Sequence, residues 1–325
     1  DLGNVGVLSQ SGGNSVDLEF RGVGRGLRFS KIISYGNAVD LNEADFMEYF
    51  AQDPETQVIG AYIEGARDAK RFFRALCQAA AGKPVAILKA GATPAGQRSI
   101  STHTASLAGQ DRVWDAVCRQ AGAVRVESME ELGDALLAFS RLPPPSGNRL
   151  AIIGGGGGHS VYAADTAERA GFVVPPLPDA IRQRLKLMLP DVWSLVAHPV
   201  DHSVLPNPAV FQEVAHLVAK DTSFDLVLLN LDPSWYLDLP RGVPAVLDSV
   251  DRLLEVARGC GKPAAIAIYP TDALAPWRWE ALAEAQRRSV AAGLPVYPSM
   301  GRALKALGYY WSYYRSARRR QGHGL

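Results

Sequence analysis

The sequence contains few cysteines, and their positions exclude two classes of stabilising site. The three cysteines among its 325 residues, Cys77, Cys118 and Cys260, are far apart and form no CxxC pair. Such a pattern indicates neither a zinc site nor a disulfide framework. We therefore predict no metal site.

Long apolar runs and a strong net charge are also absent. No stretch approaches the roughly 20 apolar residues that a membrane-spanning helix needs, and no signal peptide is visible. The formal net charge is +1, so binding to nucleic acid is not indicated. These absences predict a cytoplasmic protein with neither a nucleic-acid nor a membrane partner.

The two ends of the chain have unusual features. The chain begins with Asp1 rather than Met and enters an apolar run at once, which predicts a piece of a longer polypeptide or a processed one. The other end, Tyr309–Leu325, combines aromatic side chains with basic residues. We interpret it as a terminal helix with a solvated basic end. The sequence does not decide whether this tail docks a partner or ends free.

Short apolar runs alternate with amphipathic segments along the whole chain. Val5–Ser9, Val58–Ile63 and Pro84–Lys89, for example, are predicted strands, each followed directly or after a loop by a predicted helix. Apolar strands that alternate with helices are typical of a parallel sheet covered on both faces. The chain is also longer than one hydrophobic core usually supports. We therefore predict an α/β protein with two tandem flavodoxin-like domains, each a doubly wound parallel sheet.

A proline-rich stretch and an internal repeat place the domain boundary. Residues 143–146, Pro-Pro-Pro-Ser, cannot continue a helix and favour an extended linker. The two halves then follow the same pattern: Lys262-Pro263 precedes a predicted strand in the second half as Lys83-Pro84 does in the first. We predict a first domain at 1–142, a linker at 143–146 and a second domain at 147–325.

A glycine-rich segment follows the first strand of each half. Ser9–Ser15 includes Ser11, Gly12 and Gly13, and Gly154–Gly158 is a run of five glycines. Bare backbone N–H groups and the helix dipole make such a helix start an anion site. Two such starts suggest one phosphate held by both. The alternatives are a tight turn capped by a serine and an unusually loose turn, and no Walker A pattern is present.

His103 and Glu64 are the candidate catalytic residues. His103 lies in a polar segment, 91–109, that we predict to be a loop beyond the strand ending at Lys89. Ligands of doubly wound sheets bind at the carboxyl ends of the strands, and an imidazole can attack phosphorus at neutral pH. Glu64 closes the third strand and is placed to hold one ring nitrogen of His103. The alternatives are a surface histidine and a carboxylate exposed to water.

These segments together resemble one enzyme family. Residues 101–109, Ser-Thr-His-Thr-Ala-Ser-Leu-Ala-Gly, are similar to the SHTGxLAG phosphohistidine loop of succinyl-CoA synthetase α subunits and ADP-forming acetyl-CoA synthetases. Ser9–Gly13 resembles the start of the family's phosphate-binding helix, and Tyr62–Gly65 follows in the family's order. Gly155–Gly158 and His198–Asp201 resemble the glycine loop and the NPVD motif of its other ligase domain. The resemblance covers essentially the whole chain.

The resemblance implies an acid–thiol ligase, an acyl-CoA synthetase that forms a nucleoside diphosphate (NDP). It implies that His103 becomes phosphorylated and that Glu64 orients it, while acyl-CoA, NDP and phosphate interconvert with carboxylic acid, CoA and NTP through an acyl phosphate. The implied partners are a CoA-binding Rossmann domain before Asp1, an ATP-grasp domain or subunit that binds ATP or ADP with Mg²⁺, and further copies in an oligomer. Without those modules, we expect incomplete turnover. The implied phosphate-binding residues are Ser11, Gly12, Gly13, Gly156, Gly157 and Gly158.

Three residues depart from the family's pattern. Thr102, Ala105 and His198 stand where serine, glycine and asparagine are usual, and the last leaves the role of His198–Asp201 open. Two other interpretations stay open as well. One is a non-catalytic module that senses acyl-CoA or nucleotide, for example in a protein acetyltransferase fusion, and the other is an oligomer-forming scaffold. The acyl group and the choice between ADP and GDP cannot be inferred from these residues.

Overall fold

The chain forms two compact units in the computed structural model. The first comprises Asp1–Ser140 with Ser312–Leu325, and the second comprises Arg141–Trp311. The structure describes residues 2–103, 111–233, 242–270, 276–320 and 322, without the side chains of 100–103. The domain limits inferred from the sequence, including the linker at 143–146, stay a prediction.

The first unit is built on a parallel sheet with the flavodoxin strand order. Its strands are β1 (Val5–Ser9), β2 (Phe29–Ser34), β3 (Val58–Ile63), β4 (Val85–Lys89) and β5 (Val124–Val126). Their order across the sheet is β2-β1-β3-β4-β5, and every neighbouring pair is parallel. The strand order reverses between β1 and β3. The carboxyl ends of these two strands therefore form the place at which doubly wound sheets bind ligands.

Six helices accompany these strands in the described part of the chain, and residues 312–320, the end of the last helix of the chain, also belong to this unit. The six are α1 (Gly12–Gly24), α2 (Glu43–Gln52), α3 (Ala69–Gly82), α4 (Pro94–His103), α5 (Asp111–Ala121) and α6 (Met129–Arg141). Several of them begin at a side chain that accepts a backbone N–H group, among others Ser11 for α1, Asn42 for α2 and Asp68 for α3. The core includes Phe72 and Trp114, whose ring centroids are 5.7 Å apart.

The second unit repeats this design on a sheet of four strands. They are β6 (Leu150–Ile153), β7 (Leu226–Leu231), β8 (Ala264–Ile268) and β9 (Val296–Tyr297), in the order β6-β7-β8-β9. Their positions correspond to β1, β3, β4 and β5. Beside β6, where β2 lies in the first unit, Val200 forms an isolated parallel bridge with Ile153. The predicted fold of two tandem flavodoxin-like domains is thereby confirmed.

The helices of the second unit follow the same alternation. They are α7 (Gly157–Arg169), α8 (Asp179–Met188), α9 (Pro208–Lys220), α10 (Gly242–Gly259), α11 (Pro276–Ala291) and α12 (Met300–Arg320). Two short 3₁₀ helices, Trp193–Leu195 and His202–Val204, lie between α8 and α9. The second unit thus inserts more chain between its first two strands than the first unit does.

One lysine in each unit holds the end of a helix. Lys83 Nζ donates to two backbone carbonyls at the end of α2, including that of Phe50 at 2.6 Å. Lys262 Nζ donates in the same way at the end of α9, including to Ala219 O at 2.9 Å. Burial lowers the pKa of both lysines. The repeated Lys-Pro pair therefore corresponds to a repeated contact with carbonyls that a helix end leaves unpaired.

Residues 94–103 form a helix, so the predicted loop over 91–109 was wrong for this part. Thr93 Oγ1 accepts from Gly96 N at 3.2 Å, and Thr93 O accepts from Gln97 N at 2.9 Å, so Thr93 caps α4. Pro94 takes the first helical position, where its missing N–H group costs nothing. Pro94 therefore marks a helix start. Residues 104–110 lie outside the described part.

The aromatic residues of the tail are largely buried. Tyr310, Trp311 and Tyr313 are 0%, 2% and 5% exposed. The Tyr313 ring packs edge-on against Phe139 with centroids 5.7 Å apart, and its hydroxyl donates to Ala80 O at 3.4 Å. The terminal helix expected from the sequence therefore contributes to the core. No helix in the described ranges combines the length and the apolar character needed to cross a bilayer.

Candidate functional site

Serine side chains fix the turn that follows β1. Ser9 Oγ donates to Ser11 O at 2.8 Å and accepts from Ser11 N at 3.1 Å. Ser11 is also the N-cap of α1, because its hydroxyl accepts from Asn14 N at 3.3 Å. The turn is thus held by hydroxyl groups and sets the direction in which α1 begins.

Gly12 and Gly13 begin α1, so the start of its first turn carries no side chains. Neither residue has a positive φ, so the backbone does not require glycine here. A Cβ at Gly12 would come no nearer than 3.7 Å to Ser34 Oγ, and one at Gly13 would meet no described atom within 4 Å. Packing therefore does not require glycine either. A helix N-terminus without side chains is a place where anions are favoured.

Glu64 is buried at the end of β3, beside this turn. Gln10 Oε1 accepts from the backbone N–H groups of Glu64 and Gly65, the second at 3.1 Å, and so ties the end of β3 to the end of β1. The Tyr62 hydroxyl donates to Glu64 Oε1 at 3.4 Å, and burial followed by the Glu64 charge raises the pKa of Tyr62 to about 12. The structure therefore brings Glu64 to the edge that carries Ser11, Gly12 and Gly13.

Tyr35 and Glu43 belong to the same edge and were missed by sequence reasoning. Glu43 is completely buried; its Oε1 accepts from Arg67 N at 2.6 Å, while Oε2 has no hydrogen-bond partner among the described residues. The Tyr35 hydroxyl is likewise buried without a partner in the described ranges. Burial, and then the charges of Glu43 and Glu64, raise the pKa of Tyr35. Acidic groups thus cluster around the end of β3.

Lys89 is a buried cation at the end of β4, the strand next to β3. Its Nζ donates to Ala90 O and lies 5.6 Å from the centroid of the Trp114 ring. Burial is the main cause that lowers the pKa of Lys89, whereas the charge of Glu64 acts in the opposite direction. The edge therefore holds both signs of charge in a dry environment, where electrostatic interactions are strong.

His103 is the last residue of α4, the helix that follows β4. Its side chain and residues 104–110 lie outside the described part, so the expected contact between His103 and Glu64 stays a prediction. The topology is compatible with that contact: β4 is the direct neighbour of β3, and both end at the same edge of the sheet. The roles of His103 and Glu64 are taken up as a proposal below.

The five glycines of the second unit divide into two groups. Gly154 and Gly155 have φ values of +100° and +91°, and a Cβ at either would clash with Asn230. These two glycines are required by the turn. Gly156 is the N-cap of α7 without a side-chain hydrogen bond, and a Cβ at Gly158 would meet nothing within 4 Å in the described structure. Gly156, Gly157 and Gly158 form the predicted anion-binding group. At these three positions backbone strain does not explain the presence of glycine.

His159, in the first turn of α7, faces an acidic residue. Its Nε2 lies 3.9 Å from Oδ2 of Asp232, and its ring centroid lies 5.7 Å from that of Tyr269. Asp232 follows β7 as Glu64 follows β3, so each unit has a carboxylate at the corresponding strand end. Glu64 was predicted from the sequence, whereas Asp232 was not.

His198, which departs from the family's pattern, is a structural residue. Its Nε2 accepts from Ile152 N at 2.9 Å, and its Nδ1 lies 2.7 Å from Pro175 O, to which it donates. Burial lowers the pKa of His198 to about 4, so the ring is neutral near pH 7. The Asp201 carboxylate accepts from the Ser203 N–H and hydroxyl groups. Among the described residues, the segment His198–Asp201 therefore builds the edge beside β6.

Comparison with known proteins gives the same family for sequence and structure. Residues 2–139 match the family described as the succinyl-CoA ligase like flavodoxin domain. The chain is 34% identical over 226 residues to the α subunit of acetate–CoA ligase (ADP-forming) II of Pyrococcus furiosus, covering 70% of this chain and 49% of that protein. It is 33% identical over 274 residues to acetate–CoA ligase (ADP-forming) I of Archaeoglobus fulgidus, covering 81% of this chain and 40% of that protein.

A solved structure matches over the entire chain. The acetyl-coenzyme A synthetase 1 of Candidatus Korarchaeum cryptofilum, solved with phosphate and ADP, superimposes with a TM-score of 0.81 at 25% identity. The match covers 100% of this chain and 68% of that one. The chain spans about half or less of the length of the two archaeal ligases. The match therefore extends over both flavodoxin-like units.

Proposed function

Because this chain belongs to the superfamily of NDP-forming acyl-CoA synthetases, which includes succinyl-CoA synthetase, we propose that it is the phosphoryl-carrying core of such an acid–thiol ligase. The overall reaction converts acyl-CoA, NDP and phosphate into carboxylic acid, CoA and NTP, and it is reversible. The observation that carries the proposal is the bare helix start at Gly12 and Gly13 beside the buried carboxylate of Glu64. An anion site next to a group that can hold an imidazole is the combination that phosphoryl transfer to histidine requires.

The phosphate-binding role falls to the two helix starts. Ser11, Gly12 and Gly13 begin α1, and Gly156, Gly157 and Gly158 begin α7; no acidic residue lies in the first turn of either helix. Their N–H groups and the positive ends of the helix dipoles favour a phosphoryl group. Glycine at these positions lets the phosphate oxygens approach the backbone closely.

The nucleophile is a ring nitrogen of His103. It attacks the phosphorus of the acyl phosphate, the carboxylate leaves with the electron pair of the broken P–O bond, and phospho-His103 then passes the phosphoryl group to NDP. Glu64 accepts the N–H of the other ring nitrogen, which fixes the tautomer and stabilises the charge that develops on the ring. Gln10 and Tyr62 hold the Glu64 segment in place.

The nucleotide and CoA are substrates that we place on additional domains. Because the chain spans about half of its archaeal relatives, we propose a CoA-binding Rossmann domain and an ATP-grasp domain or subunit as its partners, in an oligomeric enzyme. Mg²⁺ is expected with the ATP or ADP phosphates rather than among the residues of this chain. The carboxylic acid that the enzyme activates is not specified by these residues.

Phosphorylation of His103 tests the proposal. The full-length protein, with its nucleotide-binding domain present and folded, is incubated with ATP labelled in the γ-phosphate and Mg²⁺. We expect acid-labile, base-stable label on the wild type and none on His103→Ala. A His216→Ala variant, changed on α9, serves as the matched control and should be labelled like the wild type. The absence of label in all three proteins would overturn the proposal in favour of a non-catalytic sensing module.

A further inference from the structure

The second unit contains a cavity of about 340 Å³ that the proposed phosphoryl transfer does not use. It lies at the carboxyl ends of β6 and β7, the edge at which open α/β sheets bind ligands. Residues of α9 and α10 close its sides. Its lining includes Gly155, Leu205, Phe211, Asn230, Arg252 and Leu253.

Asn230 lines this cavity and has no hydrogen-bond partner for either end of its amide. The residue is 3% exposed, and both Oδ1 and Nδ2 are unpaired within the described ranges. A buried amide without partners is unfavourable, and an apolar residue of the same size would be preferred if only packing mattered. Tyr62 lies at the corresponding position of β3, and its hydroxyl donates a hydrogen bond to Glu64. The unpaired amide of Asn230 is therefore specific to this cavity.

The turn at Gly154 and Gly155 approaches Asn230 closely but forms no hydrogen bond with its side-chain amide. A Cβ at Gly155 would come within 2.7 Å of Asn230 Nδ2, so only glycine permits this approach. The carbonyl of Gly155 is already used by His202: it accepts from His202 N at 3.1 Å and lies 2.8 Å from His202 Nδ1. The amide therefore keeps one donor and one acceptor side by side for a molecule in the cavity.

Apart from the carboxylate of Asp232, which disfavours an anionic ligand, the remaining walls are apolar or already paired. Leu205, Phe211 and Leu253 supply apolar surface. Arg252 is engaged with Asp248 at 2.9 Å and with Gln212 Oε1 at 2.8 Å. At the start of α9, the Asn207 side chain accepts from Ala209 N and Val210 N at 3.1 and 3.0 Å, so this helix start is satisfied by the protein itself. Apart from the amide of Asn230, the donors and the positive charge around the cavity are thus already engaged within the protein. A neutral ligand group therefore fits the cavity better than a phosphate or a carboxylate.

We propose that this cavity binds a neutral, planar ligand group with an adjacent hydrogen-bond donor and acceptor, read by the amide of Asn230. A carboxamide and an adenine-type base share this chemistry, since an asparagine amide pairs with the N6 and N7 edge of adenine through two hydrogen bonds. Phe211 and the leucines would cover its faces. The site goes beyond the proposed function, because it involves neither His103 nor the phosphate-binding helix starts.

Ligand-observed saturation-transfer NMR on the chain, with adenine and nicotinamide as separate probes, tests the proposal. We expect a saturation signal from at least one probe with the wild type, and the probe that gives it identifies the source of the shared chemistry. Asn230→Leu should lose that signal while its melting temperature stays equal or rises, because an unpaired buried amide is removed. Gln57→Leu, which replaces an exposed amide in the first unit, should keep the signal.

A second variant protects the test against misfolding. Ser249→Phe places a ring into the cavity from α10 and leaves Asn230 unchanged, so it should also abolish the signal. Loss of the signal in both variants supports the site. A signal that persists in Asn230→Leu or in Ser249→Phe, or the absence of any signal from both probes with the wild type, would overturn it.

Discussion

At the scale of single residues, His198 links a departure from the family's pattern to a physical role. Both of its ring nitrogens are engaged with backbone groups, at Ile152 and Pro175. Burial holds the pKa at about 4, well below the ordinary value of 6.5. The folded state therefore contains the neutral ring of His198, and protonation of this ring favours unfolding.

The stability of the protein should consequently depend on pH through His198. Below about pH 6.5 the unfolded chain binds a proton at this residue, whereas the folded chain does so only near pH 4, so lowering the pH over this interval favours unfolding. The expected loss reaches about 3 kcal/mol, from 1.36 kcal/mol per pH unit. Urea unfolding of the wild type and His198→Asn at several pH values measures it. The variant should show a shallower dependence, and an identical slope in both proteins would contradict the assignment.

At the scale of elements, the helix starts are the part of the site that the sequence predicted best. Strand, glycines and helix followed in the predicted order, because glycine and serine act locally. The contacts of Gln10, Tyr35 and Glu43 were missed, since their partners are 24 or more residues away, or absent, and only the sheet brings these segments together. Helix α4 was missed for a different reason: its Gly and Ser content resembles a loop, and its capping by Thr93 determines the outcome.

The first turn of α1 allows a test that separates stability from function. A Cβ added at Gly13 meets no described atom within 4 Å, and the carboxylate of Gly13→Asp interacts favourably with the helix dipole, so stability should rise by about 0.3–1 kcal/mol. The same charge should repel the phosphoryl group and abolish the labelling of His103. Gly13→Ala, which adds no charge, should retain much of the label. Full labelling of Gly13→Asp would show that α1 does not bind the phosphoryl group.

At the scale of the whole molecule, the repeat predicted from the sequence is confirmed by the strand orders of the two sheets. Alternating apolar strands and helices determine this architecture, which is why it could be predicted. The second sheet nevertheless has no full counterpart of β2, and Val200 supplies a single bridge there. The reason is the longer insertion between β6 and β7, which periodicity alone does not place. The unpaired amide of Asn230 had no signal in the sequence either.

Lys83 and Lys262 occupy equivalent positions in the two units. We expect them to contribute equally and independently to the free energy of unfolding. Lys83→Met and Lys262→Met each keep the length of the side chain but leave helix-end carbonyls without a donor. Each should lower the free energy of unfolding by about 1–3 kcal/mol, measured by urea titration. The double variant should lose the sum, because the two sites share no partner. Lys70→Met, at an exposed position, should change stability by less than about 0.5 kcal/mol.

The buried contacts of α12 have a consequence for anyone who divides this chain into pieces. Phe139 and Ala80 are covered by Tyr313, a residue that lies 174 positions after Phe139 in the chain. A fragment that stops at residue 142 contains every strand of the first sheet yet leaves Phe139 without this aromatic cover. Truncation at the obvious proline stretch would thus yield a protein prone to aggregation, and co-expressing the terminal helix in trans would be the remedy.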